Sequence, residues 1–565
     1  MSTTSVLRPK LFHTLKTYDR QQFAKDAMSG VIVGIVAIPL AIAFAIASGV
    51  SPDKGLFTAV IAGFLISFLG GSRVQIGGPT GAFIVIVYGI VQQYGISGLI
   101  IATFIAGVML ILMGLARLGA VIKFIPHPLI VGFTSGIALI IFSSQVKDFL
   151  GLKMGAVPAE FTDKWVSFAQ NIQTVNLYAV GIAVATVLII MLWPKITHKV
   201  PGSLIAIILT TVTAYFLKFP VETIGSKFGE IPSSLPSPVV PKIDFATIRK
   251  LIQPAFTIAL LGGIESLLSC VVADGMIGSK TRNNMELIAQ GVANIFSSMF
   301  GGIPATGAIA RTVTNVKNGG RTPVAGIIHA VTLLFIMLFF GKWATYIPMP
   351  TLAGVLVVVA YNMSEWENFR SVLKGPRNDS IILLTTFFLT VFIDLTVAIE
   401  IGMVLAAFLF MRKMIQSSEV SILSEQVNED DDNEEELLLI SSKIPKDVEV
   451  FEITGPLFFG AAHKFTDAIK FIEKKPKVLI IRMRYVPMID QTGIHALEEV
   501  FKEVKQRGIK VILSEVNSEM LKKELQDARL LFAIGKANVT DTFDKALERC
   551  TILLEEIKQS KNHTV

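Results

Sequence analysis

Charge is scarce in this chain. Only 17% of its 565 residues are Asp, Glu, Lys or Arg, where a soluble domain carries nearer a quarter. Cysteine is scarcer: Cys270 falls in an apolar run and Cys550 in a polar tail, and there is no third. Two such cysteines exclude a disulfide framework. The seven histidines show no metal-ligand spacing, so no metal is expected. No nucleotide-binding loop is present, which leaves no sign of ATP-driven transport. Gly301-Gly302 invites comparison with a dinucleotide fingerprint, but its flanks are membrane-spanning in character. No catalytic constellation emerges, so an enzyme is not expected. Residues 1–26 are polar and basic and lack a short apolar core with a cleavage site, so no cleavable signal is expected.

Apolar residues are abundant instead, at 52% of the chain, with a mean hydropathy of +0.62. They gather into runs such as Val31 to Ala47, Leu99 to Leu115, Tyr178 to Trp193 and Ile381 to Ile393. Runs near 20 residues span a bilayer, and slightly shorter ones imply tilt or polar helix ends. The chain reads as a polytopic membrane protein in contact with lipid. Its net charge of +7 is not a nucleic-acid signal, because the basic residues follow the membrane. Arg8, Lys10, Lys16, Arg20 and Lys25 precede the first run. Further clusters, such as Arg117 with Lys123, Lys280 with Arg282 and Arg412 with Lys413, occupy alternate connections. The positive-inside rule then places both termini in the cytoplasm and requires an even number of spans.

About fourteen segments are expected between residues 27 and 415, seven on each side of a long connection near 219–250. That connection contains Ile231-Pro232-Ser233-Ser234-Leu235-Pro236-Ser237-Pro238, too proline-rich for a helix, and reads as extracytoplasmic. Seven is odd, so the second half enters the membrane from the opposite side, giving an inverted repeat. After a cytoplasmic segment (1–26) and the transport domain (27–415), an acidic linker is expected over 416–440. It carries Glu429-Asp430-Asp431-Asp432-Asn433-Glu434-Glu435-Glu436, read as a solvated tether, with docking on basic loops as the alternative. A soluble α/β domain follows over 441–565. Strands are expected at Val448–Ile453, Val478–Met483 and Lys510–Val516, with amphipathic helices at Ala462–Ile472, Thr492–Gln506 and Glu519–Leu530.

Two glycine- and proline-broken apolar stretches sit at matching places in the two halves. Gly77-Gly78-Pro79-Thr80-Gly81-Ala82-Phe83 and Gly301-Gly302-Ile303-Pro304-Ala305-Thr306-Gly307-Ala308 each lie about 47 to 50 residues after the start of an apolar block. Paired, interrupted spans are the best pointer to a transporter's binding site. A half-helix that begins inside the membrane leaves unpaired N–H groups at its start, and these attract an anion. Glu265 is the only charge between Lys250 and Asp274. A carboxylate at that depth is costly unless paired, hydrated or protonated, so it reads as a proton or cation site, or as a polar contact between helices. Burial disfavours the charged form of any carboxylate, which suits loading and release of a proton. Ser269, one turn on, faces the same side. Arg311 follows the second break and is the natural partner. Its planar fork suits carboxylate or sulfate oxygens, although a snorkelling anchor is the alternative. Thr80 offers a hydroxyl at the first break, and Phe44 and Phe83 are placed to wall the cavity or to pack the core.

At this point the chain resembles the SulP anion permeases, the sulfate permease family. The matching stretches are Ile38-Pro39-Leu40-Ala41-Ile42-Ala43-Phe44-Ala45, Gly70-Gly71-Ser72-Arg73, Gly78-Pro79-Thr80, Ile231 to Pro236 and Gly301 to Asn315. The C-terminal region resembles the STAS domain that the family carries. The resemblance implies an all-α membrane domain of seven plus seven inverted spans, divided into core and gate, that works as an elevator. It assigns the anion site to Thr80, Gly81, Ala82 and Phe83 together with Ala308, Ile309, Ala310 and Arg311, and coupling to Glu265. It also implies a homodimer. Many sulfate transporters carry Gln after the first-span proline, where this chain has Leu40. The run Gly263 to Leu268 with Ala308 to Arg311 is most similar to the DauA-type dicarboxylate branch.

The expectation is therefore a proton-coupled transporter of a divalent anion, a C4-dicarboxylate or sulfate, in the bacterial inner membrane, with no cofactor. Alternatives are a sodium-coupled bicarbonate transporter, an uncoupled exchanger or channel, and a membrane-anchored sensor whose STAS domain binds a cytosolic protein. In related STAS domains a phosphorylated Ser follows an Asp by two residues. Thr492 in Asp490-Gln491-Thr492-Gly493 stands there, and is read chiefly as a helix N-cap.

Overall fold

A computed structural model describes residues 7–120, 125–155, 157–158, 160–197, 201–230, 232, 234–241, 244–417, 419–422, 443–470 and 476–562. It divides into two compact units, residues 1–406 and 407–565.

The first unit is helical. Its first half runs α1 Arg20–Ala47, α2 Pro52–Leu69, strand β1 Gly77–Gly78, α3 Phe83–Leu115, α4 His127–Leu150, α5 Phe161–Asn171, α6 Leu177–Leu192 and α7 Gly202–Phe216. Its second half repeats the order. It runs α8 Phe245–Ile277, α9 Asn283–Met299, strand β2 Thr306–Gly307, α10 Ile309–Lys317, α11 Pro323–Phe340, α12 Met349–Met363, α13 Trp366–Leu373, α14 Arg377–Phe392 and α15 Leu395–Ser417. The one mismatch is α3, and it resolves at Gly95. There φ is 68° and ψ is −176°, so the long helix is two segments that answer α10 and α11. The short helices α5 and α13 follow α4 and α12 at equivalent places. Leaving those two aside, each half has seven segments among the described residues. Among the described residues, eight helices are long and apolar enough to cross a membrane alone. The segment Ile309–Lys317, at nine residues, is about 14 Å long, half a bilayer core.

Packing follows the same exchange. Helix α1 packs on α11 as α8 packs on α3, α2 on α11 as α9 on α3, and α4 on α14 as α12 on α6, while α4 and α12 pack on each other. Swapping the halves turns each of these pairs into the next, as an in-membrane pseudo-two-fold requires. On the pseudo-axis, β1 and β2 pair antiparallel, Gly77 with Gly307 and Gly78 with Thr306. The connection before α8 is largely irregular, apart from a short turn at Ile224–Phe228 held by a Thr223–Ser226 capping box. Ile231 and Ser233 of its proline-rich stretch lie outside the described residues.

The second unit holds a five-stranded sheet in the order β3-β4-β5-β6-β7. The strands are β3 Glu419–Ile422, β4 Val448–Thr454, β5 Val478–Tyr485, β6 Lys510–Ser514 and β7 Val539–Thr540. β3 is antiparallel to β4 and the rest are parallel. Helices α16 Phe459–Lys470, α17 Gln491–Gln506 and α18 Glu519–Asp527 pack with Phe451, Leu479, Ile481 and Leu513 on one face. On the other face α20 Phe543–Asn562, which follows a short α19 at Leu530–Ile534, seats Ala546, Cys550 and Leu553 against Val450, Ile480 and Ile512. Alternate residues of β5 serve opposite faces because side chains alternate along a strand. A parallel sheet is normally covered on both sides, and α20 supplies the second cover.

Two expectations change. Glu419–Ile422, which falls within the expected linker, hydrogen-bonds to β4 as an edge strand, so the sheet begins before the acidic run. That run, Glu429–Glu436, and residues 471–472 of the expected helix lie outside the described residues. Thr492 is not the cap of α17. Asp490 is, its carboxylate accepting from the Gly493 N–H at 2.7 Å, while Thr492 is exposed in the first turn. Cys550 is fully buried, and burial pushes its thiol up to about 11.

Candidate anion site at the crossing of the two half-helices

The two breaks meet. Each two-residue strand ends where its half-helix is about to begin, and their antiparallel pairing brings both helix starts to one place. Side chains from α8 and α10 then sew the crossing together. The Ala308 N–H donates to the Ile76 carbonyl (2.8 Å), and the Ile76 N–H donates to Thr312 Oγ1 (3.0 Å). Ser269 Oγ donates to the same Thr312 hydroxyl (3.2 Å). Thr306 Oγ1 donates to the Gly262 carbonyl (2.7 Å), and Gln75 Nε2 donates to the Ser266 carbonyl (2.8 Å). There is no slack: a methyl group on Gly307 would lie 1.7 Å from Gln75 Nε2.

Glu265 and Thr80 are in contact, the Thr80 hydroxyl donating to Glu265 Oε2 at 3.0 Å. Arg311 is 3% exposed. One of its amino groups, Nη2, donates to the Pro79 carbonyl. The other, Nη1, is buried with no hydrogen-bond partner. It lies against the backbone of Gly78, where φ is +147° and an added methyl would come within 2.6 Å of it. Thus Gly78 is required twice, for its backbone conformation and for the close approach of the guanidinium. Arg311 and Glu265 do not form a direct ion pair. They are electrostatic neighbours attached to consecutive residues, Pro79 and Thr80.

The helix starts themselves differ. Helix α10 begins after Ala308 with no side-chain cap, and Ile309 and Ala310 are exposed. Its first amides are therefore open donors. Helix α3 begins after Ala82, also without a side-chain cap, but the Phe83 N–H donates to the Thr80 carbonyl (3.3 Å) and the segment is buried. A methyl on Gly81 would meet Met363 Sδ at 3.0 Å, Ile141 at 3.5 Å and Phe44 at 3.6 Å. Phe44 thus borders the first helix start, at 5% exposure. Phe83, at 1%, points its ring tip at Gly262, where a methyl would sit 3.3 Å away. Its surroundings are those of a core residue.

Sequence reasoning passed over Gln75, Ser266, Thr312 and His329. A polar residue between Val74 and Ile76 just before the first break was the available signal for Gln75. His329 on α11 is fully buried, and neither of its ring nitrogens has a hydrogen-bond partner. Buried Asp26 and Glu286 are fastening points. Asp26 accepts from the Arg321 N–H (2.8 Å) and Thr322 Oγ1 (2.5 Å), and Glu286 from the Gly71 and Ser72 N–H groups (2.8 and 3.0 Å).

A helical membrane unit with two broken spans crossing at its centre, a buried arginine between them, and a soluble α/β unit after it define a class of multi-pass anion transporters. Residues 23–386 match the sulfate permease family and residues 440–546 match the STAS domain. The chain belongs to the sulfate permease family. It is 42% identical to the "Putative sulfate transporter YvdB" of Bacillus subtilis over 532 residues, 94% of this chain and 98% of that one. It is 31% identical to the bicarbonate transporter BicA of Picosynechococcus over 508 residues, 86% and 88% of the two chains. The transmembrane domain of a cyanobacterial BicA superposes with a TM-score of 0.61 at 30% identity, covering 69% of this chain and 98% of that one. The murine Slc26a9 anion transporter, in an inward-facing state, superposes with a TM-score of 0.85 at 18% identity, covering 97% and 94%, which shows a shared fold.

Proposed function

We propose that the protein is a secondary active transporter that couples a proton to a small divalent oxyanion, sulfate or a C4-dicarboxylate, bound between the starts of α3 and α10. The observation that carries this is Arg311 Nη1, buried and without a partner beside the uncapped start of α10. A buried guanidinium N–H calls for an acceptor, and an oxyanion would supply one while also taking the open amides of Ile309 and Ala310. Glu265 is the coupling group. Ionised, it offsets the charge of Arg311 and holds the Thr80 hydroxyl. Protonated, it leaves Arg311 its full charge and frees that hydroxyl to turn to the substrate, so proton and anion bind together. Phe44 borders the pocket, and Ser269 fixes α8 against α10.

In this reading the helices around the crossing (α1–α3 and α8–α11) move as an elevator against α4, α6, α7, α12, α14 and α15. The protein works as a homodimer in a bacterial inner membrane with both termini cytoplasmic. The STAS unit receives a cytosolic partner near Thr492.

The test is uptake of labelled sulfate, succinate, fumarate, aspartate and bicarbonate into proteoliposomes at two pH values, with and without sodium. Uptake of a divalent anion that rises with an inward proton gradient is expected, and Glu265→Gln is expected to remove that dependence. Full gradient-driven uptake by the variant would refute the coupling role. The likeness to BicA favours one second reading, sodium-dependent bicarbonate transport, which the sodium arm would reveal.

A further inference from the structure

Helix α5 is short and amphipathic, and Lys164 breaks its pattern. One turn before Phe168, it occupies the buried stripe where an apolar residue belongs; only these two side chains of the helix are buried, Lys164 at 4% exposure. Among the described residues no hydrogen bond or ion pair reaches its ammonium group. The ring of Tyr88 lies below it, with Nζ 6.0 Å from the centroid, at the outer limit of a cation–π contact. A buried, unpaired ammonium is costly, and a stem of the same length without charge would fill the space equally well.

Lys164 lines a cavity of about 1120 Å³ between the helices of the crossing and those around it, on the side of the membrane that bears residues 219–250. The other charged groups of the lining are engaged or exposed. Lys147 donates to the Gly155 carbonyl (2.8 Å), Lys227 to Asp148 (3.4 Å), and Asp394 caps α15 through the Thr396 N–H (2.7 Å). Glu160 and Lys250 are exposed. The cavity wall includes Ile84 and Val85, which directly follow Phe83 at the start of α3.

We propose that this cavity is an outer capture site for a small oxyanion, with the Lys164 ammonium as its receiving group and Tyr88 as the wall that positions it. The proposal rests on the anion-transport reading above and adds a first stop on the way to Arg311. An anion seated here supplies the partner that the lysine lacks, then passes along the first turns of α3. Burial lowers the pKa of Lys164, so at a given pH a larger share of its amine is in the free form that acylating or arylating reagents attack.

Two measurements test it on the full-length protein. In the first, trinitrobenzenesulfonate modification of Lys164 is followed by mass spectrometry in the presence of sulfate or bicarbonate, against gluconate at equal ionic strength. Protection of at least about threefold by sulfate or bicarbonate is expected, with Lys250 unprotected. Equal modification rates in all three overturn the proposal. In the second, Lys164→Met and Lys164→Arg are assayed in proteoliposomes with this face outward. Lys164→Met is expected to raise the KM for sulfate or bicarbonate roughly fivefold with kcat kept, and Lys164→Arg to restore it. An unchanged KM in Lys164→Met overturns the proposal. If the wild-type protein moves no anion of the panel, the transport reading falls, and the protection measurement still decides this site.

Discussion

At the start of α3, Gly81 is closed in by Met363, Ile141 and Phe44, and the neighbouring hydroxyl of Thr80 is already turned to Glu265. At the start of α10, Ile309 and Ala310 are exposed and the next residue, Arg311, keeps one N–H group without a partner. The two starts occupy equivalent places in an inverted repeat, yet one is closed by packing and the other is left uncapped and exposed. Inverted repeats supply two matching frameworks; side chains decide which carries charge. Under the proposed function the second half sets the sign of the ligand, and the first half shapes the pocket and connects it to the proposed coupling carboxylate.

Removing the charged side should do the most damage. Arg311→Lys keeps the charge but loses the planar fork, and is expected to lower anion uptake roughly 100-fold or more, read as initial rates in proteoliposomes. Survival of near-normal uptake would mean that the α10 start does not hold the anion. Next are two glycines of the paired strands, Gly307 and Gly78. Gly307→Ala drives a methyl into Gln75 and is expected to prevent accumulation of folded protein. Gly78→Ala displaces Arg311 and strains the backbone, costing about 1–3 kcal/mol and most of the uptake. Detergent-solubilised yield and thermal unfolding separate the two. On the closed side, Thr80→Val removes only a hydroxyl. It is expected to slow uptake roughly 5- to 10-fold and to flatten its pH dependence while leaving selectivity for anions intact. A switch in selectivity would break the division of labour between the halves. Smallest of all, Phe44→Leu is expected to change KM by only about two- to threefold, since the ring borders the site without offering it a polar group.

Much of this arrangement was legible in the chain itself. The two Gly–Pro breaks, the isolated Glu265 and the Arg311 after the second break all lie in apolar surroundings that make them conspicuous, and the long strands of the soluble unit follow the short Val- and Ile-rich runs of Val448–Ile453 and Val478–Met483. What escaped notice has a common cause. Strands of two residues, such as Gly77–Gly78, have no periodicity to read, and their pairing joins positions far apart in sequence. Glu419–Ile422 is too short to announce itself as a strand beside an acidic run. The sequence also suggested an ion pair between Glu265 and Arg311, because opposite charges in an apolar region attract. The structure instead attaches Glu265 to a hydroxyl and Arg311 to a carbonyl. Backbone freed by the break at Pro79 provides that carbonyl, and only the three-dimensional crossing brings it within reach.

The pairing of Gly77 with Gly307 also bears on how the molecule is made. The ribosome adds about 230 residues between the two strands, which at roughly 5–20 residues per second takes on the order of 10 to 50 seconds. Throughout that interval the first strand has no mate, in a medium that offers its amides no water. The nascent first half must therefore be sheltered, in the insertion machinery or in a hydrated groove, until β2 arrives. Release from that shelter and completion of the crossing are then one event, so a chain arrested before residue 307 would be left in the membrane as an unfinished half.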